Sequence, residues 1–323
     1  MSGPRHRVRD RGSLLVVTLW VVTVLSIFAI AVARYLSIEL RLSQQRVWRE
    51  QAIALARGGV YLALQQLVTD GTEGSATYEP YDWLRDDWAA WSDSKDTGVE
   101  VVHLPPPATA APGTESLIEI RITDEERKRD LRAATLQELQ QLFQSPELAQ
   151  AVLSYQDADS DGDAEVPLAD PLYYPKNAPL AALEELWDIP GMNAQVYARA
   201  QETTFAVPST TATPTVNINT AGAEVLMAVG LPTLAAGIIH FREAGHYFKS
   251  LSPSVETEAP GVPPPFPVDD PEFLNAKDKL SVSSHTFAVE VTSRLGAAAV
   301  RHHIQAILRR STEGITIVSW REG

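Results

Sequence analysis

Arg11-Gly12-Ser13-Leu14-Leu-Val-Val17-Thr-Leu-Trp20-Val-Val-Thr-Val-Leu-Ser-Ile-Phe-Ala29-Ile-Ala-Val-Ala33 decides how the whole chain is read. From Leu14 to Ala33 it holds no charge, no proline and no glycine. A run of that length crosses a hydrocarbon core of ~30 Å as a helix. Helix is also the only single-segment form that satisfies its own backbone there. Before it stands an arginine-rich leader with Arg5, Arg7, Arg9 and Arg11, closed by Gly12-Ser13.

Two fates fit such a segment. One is a cleaved secretory signal, with Ala29-Ile30-Ala31 or Ala31-Val32-Ala33 as the cleavage site. Signal cores run to about 7–15 apolar residues, and this one is longer. The other is a retained anchor trimmed at Gly12. The following chain favours the anchor. Residues 34–67 read as continuous helix, with Leu36, Leu40, Val47, Ala54, Leu55 and Leu62 near helical spacing. Gly58-Gly59 is the single interruption. Arg34, Arg41 and Arg46 follow the span almost as densely as arginines precede it, so charge alone does not orient it.

A Gly-Ser junction before an apolar helix that runs on into an amphipathic stem resembles a class III prepilin. That resemblance implies cutting after Gly12 by a prepilin peptidase, a mature chain starting at Ser13, and methylation. Pilins carry Glu at the fifth mature position, which here is Val17. A carboxylate in the bilayer costs a few kcal/mol without a partner, and in pilins a neighbouring subunit's terminal amine supplies one. The family that lacks this Glu is general secretion pathway protein K, the large minor pseudopilin of type II secretion, and the chain resembles it.

The 323 residues carry a net charge of −14 and no cysteine. Disulfides, thiol chemistry and Cys-ligated metals are thereby excluded. The acidic balance, mainly beyond residue 70, argues against a polyanionic partner, so no nucleic acid is expected. The sequence also offers no catalytic constellation. His240 and His246 have no Cys beside them, and Glu243 between them is not in a His-Glu-x-x-His order. His302-His303 reads as solvated, and no phosphate loop or nucleophile elbow occurs.

Residues 70–115 are turn-rich, with Trp83, Trp88 and Trp91 read as local core. Strands are expected at Val99–His103 and Ser116–Ile122. Helix is expected from Asp124 through Leu142, over 147–157, over 179–190 and on to about 250, interrupted by loops. Strands return at Thr286–Ser293, Ala297–Arg309 and Ile315–Trp320. The expected fold class is α+β: a long N-terminal transmembrane and stem helix, a small pilin-like antiparallel sheet, and a large inserted α-helical domain resembling SAM and helix-hairpin-helix modules. The divisions are a leader at 1–12, a span at 13–33 and a stem at 34–69. The sheet layer is at 70–124 and 281–323, and the insertion at 125–280 with a proline-rich loop at 252–271.

Within the insertion, Lys176-Asn-Ala-Pro179 with Leu183-Glu-Glu-Leu186, and Val216-Asn-Ile-Asn-Thr-Ala221 with Glu224-Val-Leu226, resemble motifs of the protein K family. Thr220 is expected to cap the next helix, worth ~1 kcal/mol, and the asparagines to satisfy backbone at its entry. The second motif also occurs in helix-hairpin-helix DNA-binding domains. Here the turn Val229-Gly230-Leu231-Pro232-Thr233 lacks a second glycine, and only Arg242 and Lys249 supply local positive charge.

The sharpest chemical signal is Asp157-Ala-Asp159-Ser-Asp161-Gly162-Asp163-Ala-Glu165. Alternating carboxylates with glycine at the sixth position open a calcium loop, because the hard cation wants several oxygen ligands and the turn must be sharp. An EF-hand would place Glu at the twelfth position, which is Leu168, so the full motif fails. An open loop completed by Glu165 or Asp170 remains, against the alternative of a solvated acidic turn. Known calcium sites in the resembled family favour the ion.

The expectation from the sequence is therefore a non-enzymatic minor pseudopilin in the inner membrane, with its C-terminal part in the periplasm. It would sit at the tip of the type II secretion pseudopilus. Its partners would be other minor pseudopilins, the major pseudopilin and the prepilin peptidase. The alternatives are a tip subunit of a type IV pilus or competence system, and an exported calcium- or DNA-binding module on an uncleaved anchor.

Overall fold

A computed structural model describes residues 11–70, 81–89, 100–104, 116–158, 175–208, 214–252, 254–258, 261–295, 300–311 and 314–323. Helix α1 runs unbroken from Arg11 to Asp70, 60 residues, or roughly 90 Å at 1.5 Å per residue. Strands β1 (Glu100–Leu104) and β2 (Ser116–Asp124) follow, then a short β3 (Arg129–Asp130). Helices α2 (Leu136–Phe143), α3 (Pro146–Gln156) and α4 (Ala194–Thr203) lead to β4 (Thr204–Phe205) and β5 (Val216–Asn217). Helices α5 (Ala223–Ala228) and α6 (Ala235–Glu243) form a hairpin. It is followed by β6 (Phe248–Ser250), β7 (Glu256–Thr257), α7 (Pro271–Ala276) and β8 (Leu280–Ser281). The chain closes with β9 (Thr286–Leu295), β10 (Val300–Ser311) and β11 (Gly314–Glu322).

The fold is α+β. Its five-stranded antiparallel sheet runs β1-β2-β9-β10-β11, so β2 pairs with a strand that begins beyond the whole helical block. Period-two alternation sends Ile118, Ile120 and Ile122, then Phe287, Val289 and Val291, then Ile304, Ala306 and Leu308 to one face. Against that face lies the second half of α1, through Ala56, Val60, Ala63 and Leu67. A separate core fills the helical block around Leu139, Leu142, Phe143, Val152, Leu186, Ile218, Leu226, Ile238 and Phe248.

Several expectations are corrected. Gly58-Gly59 does not interrupt α1. A Cβ on Gly59 would stand 2.6 Å from Val291 Cγ1 and 2.8 Å from Ile118 Cγ2, so the bare Cα is what seats the helix on the sheet. Leu36, Leu40, Val47, Ala54 and Leu62 are exposed, and the buried stripe is Ala52-Ala56-Val60-Ala63-Leu67. No helix runs from Asp124 to Leu142. Asp124 caps only a 3-10 turn at Glu125–Arg127, and the chain then pairs as β3 before Thr135 starts α2 with a capping box. The expected helix at 179–190 is a 3-10 segment at Leu183–Asp188. Trp88 packs edge-on against Phe287 in the sheet core, whereas Trp83 packs on Tyr247 beside the helical block. Trp91 lies outside the described residues. His302 is buried, with Nε2 3.7 Å from the Glu322 carboxylate; His303 is exposed, as expected.

Candidate assembly surface and the buried junction behind it

The first half of α1 is bare. Every large apolar side chain from Leu14 to Val47 stands exposed, among them Leu14, Trp20, Leu25, Phe28 and Leu40 at 60–71%. An 18-residue window of this helix has a mean hydropathy of 2.7, and none of it is buried within the chain. Gly12 and Ser13 lie in the first turn of α1, and Val17 is exposed a turn further on. Leaving so much apolar surface in water would cost about 25 cal/mol per Å², so the surface calls for lipid or for other helices.

The second half of α1 ends in a buried polar junction. Asp70, its last residue, accepts from Arg310 Nη1 at 2.8 Å, and Asp82 accepts from Arg310 Nη2 at 2.6 Å. Arg310 also donates to the Ser284 carbonyl at 2.7 Å, and its guanidinium lies 5.1 Å from the centre of the Phe287 ring. Burial works against the Arg310 charge, but Asp82 and Asp70 hold it above its ordinary range. Burial pushes the Asp82 carboxyl up while Arg310 pulls it down, and burial wins.

Beside this pair lies the Asn-Ile-Asn-Thr segment, wholly buried. Asn217 Nδ2 donates to Ser284 Oγ at 2.8 Å and to the Asp82 carbonyl at 3.1 Å. Asn219 pairs with the Phe248 backbone in both directions at 2.8 Å. Thr220 Oγ1 donates to Asp124 at 2.5 Å, and Ser284 Oγ to the same carboxylate at 2.7 Å. Thr220 is therefore not the helix cap. Helix α5 starts at Ala223 behind Gly222, which offers no side-chain cap. The two asparagines do satisfy backbone groups. The junction's Asp82, Asp124, Ser284 and Arg310 escaped sequence reading, because they come from four separated stretches. The one local signal was a pair of arginines, Arg309-Arg310, in a strand.

The Lys-Asn-Ala-Pro segment closes the other side of the helical block. Lys176 Nζ donates to Glu185 at 2.6 Å and to the Pro179 carbonyl at 3.0 Å, while Asn177 takes a left-handed φ of 52°. Leu180, Leu186 and Ile189 are buried beneath it. Glu184, next to Leu183, is paired with Arg321 on β11.

Of the acidic run, Asp157 ends α3 as its C-terminal cap. Asp159, Asp161, Asp163 and Glu165 lie outside the described residues. Among the described residues, no group of three or more His, Asp or Glu side chains is placed to hold a metal ion. In the hairpin, Arg242 Nη1 turns inward to the carbonyls of Ile218 and Ala221.

Residues 117–209, from β2 through α4 and just beyond, match the family model described as type II secretion system protein K. The match spans that segment, under a third of the 323-residue chain, and makes the chain similar there to protein K of type II secretion systems. The fold is also that of a chain in the crystal structure of the GspK-GspI-GspJ complex from enterotoxigenic Escherichia coli. The TM-score is 0.62 at 19% identity, over 87% of this chain and 98% of the other. No curated protein sequence matches the chain. The protein K segment begins in the sheet and ends past β4, so it contains the entry to the helical block and the Lys-Asn-Ala-Pro closure.

Proposed function

We propose that the protein is a minor pseudopilin, anchored in the inner membrane by Leu14–Ala33 with its remainder in the periplasm, at the tip of the type II secretion pseudopilus. The observation that carries this reading is the bare apolar half of α1 on a chain whose residues 117–209 match protein K. The exposed helix packs against other pseudopilins. The helical block, bulky beside the sheet, caps the fibre and initiates it. GspI and GspJ in the related complex are the precedent for its minor-pseudopilin partners; the major pseudopilin lies below. Val17 supports the tip position, since a subunit with no neighbour above needs no carboxylate for that neighbour's amine.

Processing after Gly12 tests the reading. Membrane-extracted protein should begin at Ser13 by intact mass and keep its apolar helix, and Gly12→Leu should retain the leader. A mature start at Arg34, or release into the soluble fraction, would overturn it. Val17→Glu should lower incorporation into the fibre, because the bilayer charge costs about 2.5–3.5 kcal/mol without a partner.

The same reading includes a calcium ion held by Asp157, Asp159, Asp161, Asp163 and Glu165. Binding only to the folded state stabilises it by about 2.7 kcal/mol at a hundredfold excess over Kd. Calcium should raise the melting temperature, chelator should lower it, and Asp159→Ala with Asp161→Ala should abolish the difference. Equal melting in calcium and in chelator would leave the run as an acidic turn.

A further inference from the structure

Where the 81–89 segment meets helix α6, a pocket of about 300 Å³ is lined by Trp83, Leu84, Arg85, Ile239, Arg242 and His246, with Glu243 at its edge. Two guanidinium groups reach it from separate stretches of chain. Arg242 spends Nη1 on the Ile218 and Ala221 carbonyls, and its Nε is buried without a partner among the described residues. Arg85 lies across the turn at Gly245, where a Cβ would stand 2.7 Å from Nη1, and 6.0 Å from the centre of the Trp83 ring. Neither arginine has an ion-pair partner among the described residues. The other charged groups are settled or peripheral: His246 is paired with Glu258, and Glu243 is exposed at the rim.

We propose that this pocket binds a carboxylate carrying an apolar group. A carboxylate matches the planar donors of two guanidinium groups, which make their strongest bonds to charged acceptors. Trp83, Leu84 and Ile239 give the remainder of such a ligand an apolar wall. Arg85 and Arg242, with Arg127 near Arg242, outweigh Glu243 and leave the pocket positive. Its apolar wall suits a carboxylate with an apolar group better than inorganic phosphate. Burial and the neighbouring Arg127 pull Arg242 down to about 10, so an anion here would relieve a poorly compensated cation. The ligand's source is a free small carboxylate or a carboxylate on another polypeptide, and the chemistry is the same for both.

The test is calorimetric titration of detergent-solubilised full-length protein with phenylacetate, phenylacetamide, inorganic phosphate, and a short phenylalanine-ended peptide with a free or an amidated C-terminus. Saturable binding of phenylacetate or of the free-carboxylate peptide is expected, with the neutral amides failing. Whichever of the two binds more tightly assigns the source. Arg85→Gln, on an exposed side chain outside either core, should weaken binding at least about tenfold, and Arg85→Lys should restore part of it. No saturable binding of either carboxylate, equal binding of the amides, tighter binding of phosphate, or an unchanged affinity in Arg85→Gln would each overturn the proposal.

Discussion

Asp124 is a carboxylate only 2% exposed, held by Thr220 Oγ1 at 2.5 Å, Ser284 Oγ at 2.7 Å and the Glu126 amide at 2.8 Å. Burial, and then the charge of Glu126, push it from 3.8 up to about 7. The folded value exceeds the unfolded one, so the native state binds the proton more readily between those limits. Stability from this group is complete below about pH 4 and is lost as pH climbs through 7. Glu138 works in the opposite sense: burial would raise it, but Lys279, the Thr135 amide and Arg129 hold it below its ordinary range. A paired comparison cancels it. The melting temperature of Asp124→Asn minus that of the wild type should become more positive from pH 4 to pH 7. A flat difference would mean that Asp124 does not titrate there. Asn217, Asn219 and Thr220 were legible as structural residues from their motif, but their partners were not, because hydrogen-bond satisfaction is settled between distant stretches.

Helix α1 carries two glycines that a sequence reader treats alike and the fold treats differently. Gly59 faces the sheet, where an added Cβ would press on Val291 and Ile118; Gly58 has nothing within 4 Å. Gly59→Val should cost about 1–3 kcal/mol through overpacking. Gly58→Ala should gain up to about 1 kcal/mol, since glycine is the poorer helix former. Denaturant melts of the two variants beside the wild type decide this, and equal effects would mean that α1 does not rest on the sheet through Gly59. The length of α1 was legible from its apolar run and its lack of proline. Its packed face was not, because small residues such as Ala52, Ala56 and Ala63 carry little hydrophobic signal yet allow the closest approach.

Across the molecule, Arg310 joins the end of α1, the 81–89 segment, the exit from the helical block and the sheet. Its removal would leave Asp82, with a side chain only 2% exposed, without its counter-ion. Arg310→Ala should cost about 3–5 kcal/mol, as expected when one partner of a buried pair is lost. Arg309→Ala, which gives up a 3.4 Å bond to the Pro208 carbonyl, should cost about 1 kcal/mol or less. Thermal melts compare the two, and equal losses would remove Arg310 from the joint. Limited proteolysis should cut the helical block of Arg310→Ala sooner than that of the wild type.

Local pattern was enough for the apolar helix, the alternating strands and the α+β class, because burial on one face leaves a period of two or of 3.6 in the chain itself. It was also enough for a resemblance to protein K, which the match over residues 117–209 supports. Three features were set by contacts between stretches far apart. Asp124 closes a strand and does not open a long helix, because the sheet pairs β2 with β9 across the whole insertion. Thr220 serves Asp124 and not a helix end, because the junction brings them within 2.5 Å. Gly59 is a seat and not a break, because a helix already stabilised along 60 residues gains more from close packing than it loses in propensity.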